Sequence, residues 1–150
     1  MTGTNHGLTG AAIALLVSEP SLAVPLSFVS HFACDALPHF GPAPGEKLFE
    51  RKFNIILITD FIVAVTSMII LAILFPADKW LIWMCMVAAA SPDLVWAYYL
   101  LYIQKIKARV PKLDPLSRFH SLIQWSQTPK GWFVEVFWFI AMGAVILSQR

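Results

Sequence analysis

Three long stretches of this chain are almost free of charge, and they constrain the fold more than any other feature. They comprise residues 53–75, 80–103 and 131–148, and each contains a single charged side chain, an acid. An α-helix needs about 20 predominantly apolar residues to cross the hydrocarbon core of a bilayer. We therefore predict three clear transmembrane helices.

The overall composition agrees with a membrane protein. Hydrophobic residues make up 58% of the chain and charged residues 13%, whereas an average soluble domain has about 25% charged residues. A length of 150 residues suits one domain. We predict an all-α integral membrane helical bundle in which residues 1–150 form a single domain. The sequence contains no motif that indicates nucleic-acid binding.

The N-terminal region is apolar in two shorter pieces, residues 8–18 and 21–37. Glu19-Pro20 between them is typical of a turn. We predict two short helices that form a hairpin. Their length leaves open whether this hairpin crosses the whole membrane.

Basic residues concentrate in two connections, residues 38–52 and 104–130. By the positive-inside rule both should be cytoplasmic, and the connection at 76–79 should lie on the other side. We predict an integral membrane protein with membrane lipids as partners. The basic residues from Lys105 to Arg118 would then attract anionic headgroups. This topology places the ionisable residues of the apolar segments in the cytoplasmic half of the bilayer.

His31 and Asp35 lie four residues apart near the end of the segment 21–37. Positions i and i+4 share one face of a helix, so the imidazole and the carboxylate can point to the same spot. Such a pair indicates a metal site or an acid–base pair. We predict a divalent metal ion, with zinc preferred. The candidate ligands are His31, Asp35, His39, His6, Asp93 and His120.

The acids inside the apolar stretches are Asp60, Asp93 and Glu135. Each carboxylate costs about 2.5–3.5 kcal/mol to insert at the centre of a membrane helix, and such residues usually mark function. We predict Glu135 and Asp60 as catalytic general bases. The structural alternatives are a hydrogen bond from a threonine to Asp60 and an ion pair between Glu135 and Lys130.

Several short segments share a pattern with known membrane proteins. They are Asn5-His6-Gly7, Ser30-His31-x-x-x-Asp35, Leu37-Pro38-His39, Ser91-Pro92-Asp93 and His120-Ser121. Together they resemble the inner-membrane, metal-dependent hydrolase-like proteins related to the LexA-regulated membrane-bound hydrolases. The resemblance implies a metal-binding α-helical protein with several spans. Here Leu94-Val95-Trp96 follows Asp93 where that family has a second Asp and a His, which favours one metal over two.

The first functional hypothesis is a membrane-embedded metal-dependent hydrolase that acts on a lipid or other amphiphilic substrate, such as a phosphoester. The alternatives are a non-catalytic membrane scaffold, with its polar residues joining helices, and a proton or metal-ion transporter. A transporter needs ionisable groups across the whole membrane, whereas these groups cluster in one half. The oligomeric state is left open.

Overall fold

The structure, a computed structural model, describes residues 1–41, 51–98 and 113–150. The described residues are mostly helical, which confirms the all-α prediction. The helices are α1 (Gly3–Val17), α2 (Pro20–Asp35), α3 (Arg51–Leu74), α4 (Lys79–Ala97), α5 (Pro115–Ile123) and α6 (Trp132–Leu147). Two short strands, β1 (His39–Phe40) and β2 (Gln127–Thr128), pair in parallel with His39 opposite Gln127.

Helix α1 is the centre of the bundle. It packs against α2, α3, α4 and α6, and residues 4–12 are all buried. Its side chains Leu8 and Ala11 belong to the same core cluster as Ile82 and Met86 of α4. The predicted turn between the N-terminal helices is present, since Glu19 caps the N-terminus of α2. The first helix of the hairpin is thus a core element that four other helices surround.

A glycine permits the close approach of α1 and α4. A Cβ atom added at Gly10 would lie 2.3 Å from the backbone oxygen of Cys85. That distance is far below van der Waals contact, and the obstructing atom belongs to a helix backbone that cannot rotate aside. Only glycine fits here without moving α4.

We expect Gly10→Ala to lower the free energy of unfolding by about 1–3 kcal/mol, the usual penalty for overpacking a core. Thermal unfolding in detergent measures the effect. Gly143→Ala in α6 is the matched control, because a Cβ atom there meets nothing within 4 Å. The control should be neutral or slightly stabilising, since alanine is the better helix former. Equal melting temperatures for Gly10→Ala and wild type would contradict the close packing.

Two helical segments, Phe53–Leu74 and Pro129–Leu147, are long and apolar enough to cross a membrane. We predicted three, so the structure supports two of them among the residues it describes. The third predicted span, residues 80–103, continues beyond the described residues, and its described part does not meet the same criterion. This part lies in α4, where Ile82, Cys85 and Ala89 are buried. The apolar residues of α4 therefore contribute to the core of the bundle.

The outer face of α3 is strongly apolar and uncovered. Phe61 and Ile73 are 69% and 73% exposed, and their neighbours along the helix are similar. An apolar surface of this extent marks contact with lipid or with another protein. It suits a helix that faces the hydrocarbon of a bilayer.

Candidate metal centre

Four of the predicted ligands converge at one place. They are His31 and Asp35 of α2, Asp93 of α4 and His120 of α5, and one ligand atom from each lies within 4.8 Å of the others. The i,i+4 spacing in α2 acts as the sequence predicts, because His31 Nε2 lies 3.2 Å from Asp35 Oδ2. This group could hold a metal ion.

The ligand atoms of the group lie from hydrogen-bonding distance to at most 4.8 Å apart. His120 Nε2 lies 2.7 Å from Asp35 Oδ2 and 3.0 Å from His31 Nε2. Asp93 Oδ1 lies 3.7 Å from His31 Nε2 and 3.9 Å from His120 Nε2. The four side chains therefore surround a common point where they could hold a metal ion.

A main-chain carbonyl orients the ring of His31. Its Nδ1 lies 2.7 Å from the backbone oxygen of Ala89 in α4. A carbonyl can only accept, so Nδ1 donates this hydrogen bond and Nε2 faces the cluster. Metal-bound histidines in proteins are usually held in this way. Ala89 and Asp93 are one turn apart on α4, and Pro92 lies between them.

Helix α5 delivers His120. The side chain of Asp114 caps its N-terminus by accepting hydrogen bonds from the backbone N–H groups of Leu116 and Ser117. One turn after His120, Gln124 donates from Nε2 to Asp35 Oδ2 at 3.3 Å and lies 3.1 Å from His120 Nε2. Gln124 was not among the predicted site residues, although its i,i+4 relation to His120 is a usable signal.

Three of the four side chains in the group are buried and one is partly exposed. The side chains of His31 and Asp35 are 0% exposed and that of His120 is 2% exposed, whereas that of Asp93 is 38% exposed. Asp93 is thus the most accessible member of the group.

No protein-family model, curated protein or solved structure matches this chain. The resemblance to the LexA-regulated membrane-bound hydrolases therefore stays a prediction. The geometry of His31, Asp35, Asp93 and His120 is the observation from which a function can be inferred.

His6 borders the cluster through Asp35. Its ring stacks on that of His31 with centroids 3.9 Å apart, and its Nε2 lies 3.0 Å from Asp35 Oδ1. The amino group of Met1 donates to the same oxygen. Asp35 therefore faces His31 and His120 with Oδ2, and His6 and Met1 with Oδ1. Of the predicted ligands outside the four-residue group, His6 lies nearest to it.

His39 lies in β1, and the structure does not bring it into the four-residue group. Its Nδ1 lies 2.8 Å from the backbone oxygen of Leu37 and donates to it. Burial lowers the pKa of His39, and the positive charge of the N-terminal amine acts in the same direction. Both effects favour the neutral ring. Within the described part of the chain, its Nε2 has no hydrogen-bond partner.

Asp60, a predicted base, holds the start of α1. Its two carboxylate oxygens accept hydrogen bonds from the backbone N–H groups of Gly3 at 2.8 Å and Thr4 at 3.1 Å. The first N–H groups of a helix lack partners within the helix, and the helix dipole favours a negative charge there. This arrangement stabilises the N-terminus of α1.

Glu135, the other predicted base, binds the same N-terminal region. Its Oε2 accepts hydrogen bonds from the backbone and hydroxyl of Thr2 and from Asn5 Nδ2, the last at 2.7 Å. Its Oε1 accepts from the backbone N–H of Phe40 at 3.2 Å. The carboxylate thus ties α6 to α1 and to β1. Its contacts are those of a structural residue.

An open groove of about 380 Å³ lies between α3 and α6. Its walls are mostly apolar and include Ile55, Val63 and Phe139. Asn5 lies at its polar end, and the next residue, His6, lies against Asp35. The groove therefore lies between the two candidate spans and reaches the start of α1.

Proposed function

We propose that this protein is a membrane-embedded, metal-dependent hydrolase whose metal centre consists of His31, Asp35, Asp93 and His120. The observation that carries the proposal is the convergence of these four ligand atoms within 4.8 Å. Two imidazoles and two carboxylates form a donor set that suits zinc. A zinc ion bound there would lower the pKa of a water ligand to about 7.

The protein's own groups have separate tasks in this proposal. His31 is held by the Ala89 carbonyl, and Gln124 keeps Asp35 in place by donating to its Oδ2. Asp93 is the most exposed of the four proposed ligands, so a water ligand would enter beside it. Asp60 and Glu135 have no part as bases in this proposal, because those two carboxylates already accept hydrogen bonds from the start of α1.

We propose an amphiphilic phosphoester as the substrate class. The groove between α3 and α6 can take an apolar chain, and its lining includes Thr2, Thr4 and Asn5 at the start of the chain. The candidate spans on either side of the groove support access from the bilayer. A bacterial inner membrane with cytoplasmic basic connections is part of the proposal. Of these basic residues, Lys105, Lys107, Arg109 and Lys112 lie outside the described residues.

The first test is the metal content of the detergent-purified protein. Wild type should contain about one equivalent of zinc after reconstitution, and His120→Ala should lose it. Ser121→Ala is the matched control, since Ser121 is exposed and its hydroxyl donates to the backbone oxygen of Arg118. The control should retain its zinc. A metal-free wild type after zinc addition and dialysis would refute the metal centre.

Hydrolysis of phospholipids and isoprenoid phosphates is then measured with the zinc-loaded protein. Activity should disappear with a chelator and return with zinc. The scaffold alternative is supported by the structural contacts of Asp60 and Glu135 with α1. Zinc binding without turnover of any amphiphilic phosphoester would favour that alternative.

A further inference from the structure

Helix α5 has three distinct faces. Ser117 and His120 are buried and face the bundle. Leu116, Phe119 and Leu122 are 41%, 50% and 73% exposed. At about 100° per residue these three positions occupy one third of the helix circumference. The remaining exposed positions on the third face, Arg118 and Ser121, are polar.

An exposed aromatic residue follows the helix. Trp125, in the 3-10 turn that follows α5, is 77% exposed. The same turn is fixed to the end of α2, because Ser126 Oγ donates to the backbone oxygen of Leu37 at 2.8 Å. The exposed tryptophan is therefore a feature of the folded protein.

A short connection to the candidate span Pro129–Leu147 restricts where α5 can lie. Residues 124–128 alone separate α5 from the candidate span Pro129–Leu147. A connection of five residues reaches at most about 18 Å. Helix α5 therefore lies near one end of that span. In a protein embedded by this span, that is the level of the lipid headgroups.

We propose that α5 is an interfacial membrane helix whose docking into the bilayer surface holds His120 in the metal centre. A helix with one apolar and one polar face beside a span end lies in the plane of the interface. Trp125 is of the residue type that is enriched at this level. The positive charge of Arg118, on the polar face, is attracted by anionic headgroups. This inference rests on the metal centre proposed above.

Among the described residues, α5 packs against α2 and α4 through its inner face. The ring of Phe119 lies 5.5 Å from that of Phe32 in α2, and Phe32 also contacts His120. The other three ligands come from α2 and α4, which pack closely on the central helix. His120 is therefore the one ligand of the group that α5 carries, and its position follows that of α5. In the proposed arrangement the lipid bilayer covers the apolar face of α5, and zinc affinity should depend on this cover.

Spin-label depth measurements test the placement of α5. Nitroxides are attached in Leu122→Cys and Ser121→Cys, with Cys34 and Cys85 replaced by alanine, in phosphatidylcholine–phosphatidylglycerol nanodiscs. The label at 122 should be accessible to oxygen and lie about 5–10 Å below the headgroups. The label at 121 should be accessible to a water-soluble nickel complex. If both labels are accessible to nickel, or if 122 is shielded from both reagents as in a contact between two copies, the proposal fails.

Zinc affinity in the same nanodiscs tests the coupling to the metal centre. Leu122→Glu should weaken zinc binding at least tenfold in competition with a chelator, because the charge expels the apolar face from the bilayer. Ser121→Glu adds the same charge on the polar face and should bind zinc as wild type does. Equal affinities in all three proteins would overturn the coupling while leaving the metal centre intact. A wild type without zinc would instead refute the metal centre, and the spin labels would still report the position of α5.

Discussion

Asp35→Asn is expected to abolish zinc binding and to lower the stability of the protein. Asp35 is fully buried, with His31 and His120 at one oxygen and His6 and the amino group of Met1 at the other. The substitution replaces an anionic ligand by a neutral amide. It also places the amide N–H₂ group against the histidine rings or the amino group of Met1, which donate to the carboxylate in wild type. Breaking a buried charge pair by removing one partner costs about 3–5 kcal/mol.

Thermal unfolding in detergent, with and without zinc, measures both effects of Asp35→Asn. A ligand at about 100 times its Kd stabilises the folded state by about 2.7 kcal/mol. Zinc should therefore raise the Tm of wild type and leave that of the variant unchanged. Asp78→Asn makes the same change at an exposed position between α3 and α4 and should behave as wild type. A zinc-dependent Tm in Asp35→Asn would show that the carboxylate is not a ligand.

Glu135→Ala is the second substitution with a large expected effect. It leaves two N–H groups and a hydroxyl, on Thr2 and Phe40, without this acceptor, whereas Asn5 Nδ2 keeps its hydrogen bond to the backbone oxygen of residue 135. A buried polar group without its partner costs about 1–3 kcal/mol. Several such losses approach the total stability of a typical domain, about 5–15 kcal/mol. We expect the variant to aggregate or to unfold far below the wild-type Tm in a detergent thermal scan.

The same experiment separates a structural role of Glu135 from a catalytic one. Glu135→Gln keeps an acceptor oxygen for Thr2 and Asn5 and should be intermediate in stability. If Glu135 were instead a general base, both variants would fold as wild type does and bind zinc, but they would lack activity. That result for Glu135→Ala would support the prediction that Glu135 is the base.

The sequence predicted those parts of the fold and site that depend on local pattern. Uninterrupted apolar residues predicted α3 and α6, and the i,i+4 spacing placed His31 and Asp35 on one face of α2. Pro38 correctly indicated that α2 ends before His39, which lies outside the helix. Each of these features is set by neighbours within a few residues.

Features that depend on contacts between residues far apart in the chain could not be predicted from the sequence. The central position of α1 was hidden because its small residues, such as Gly7, Gly10 and Ala11, give no amphipathic pattern. The roles of Asp60 and Glu135 depend on N–H groups more than 50 residues away in sequence. An acid in an apolar helix indicates a buried partner, but its sequence context does not identify that partner.

One turn of α4 supplies both the carbonyl that orients His31 and the carboxylate of Asp93. Pro92 lies within this turn and has no N–H to donate to the carbonyl of Ala88, which accepts the hydroxyl of Ser91 instead. This turn therefore has the least backbone restraint in the described part of α4. In mechanical terms it is a hinge, and bending there would displace a ligand and the support of another ligand together. The coordination geometry could then adapt during a reaction through one movement of a single helix.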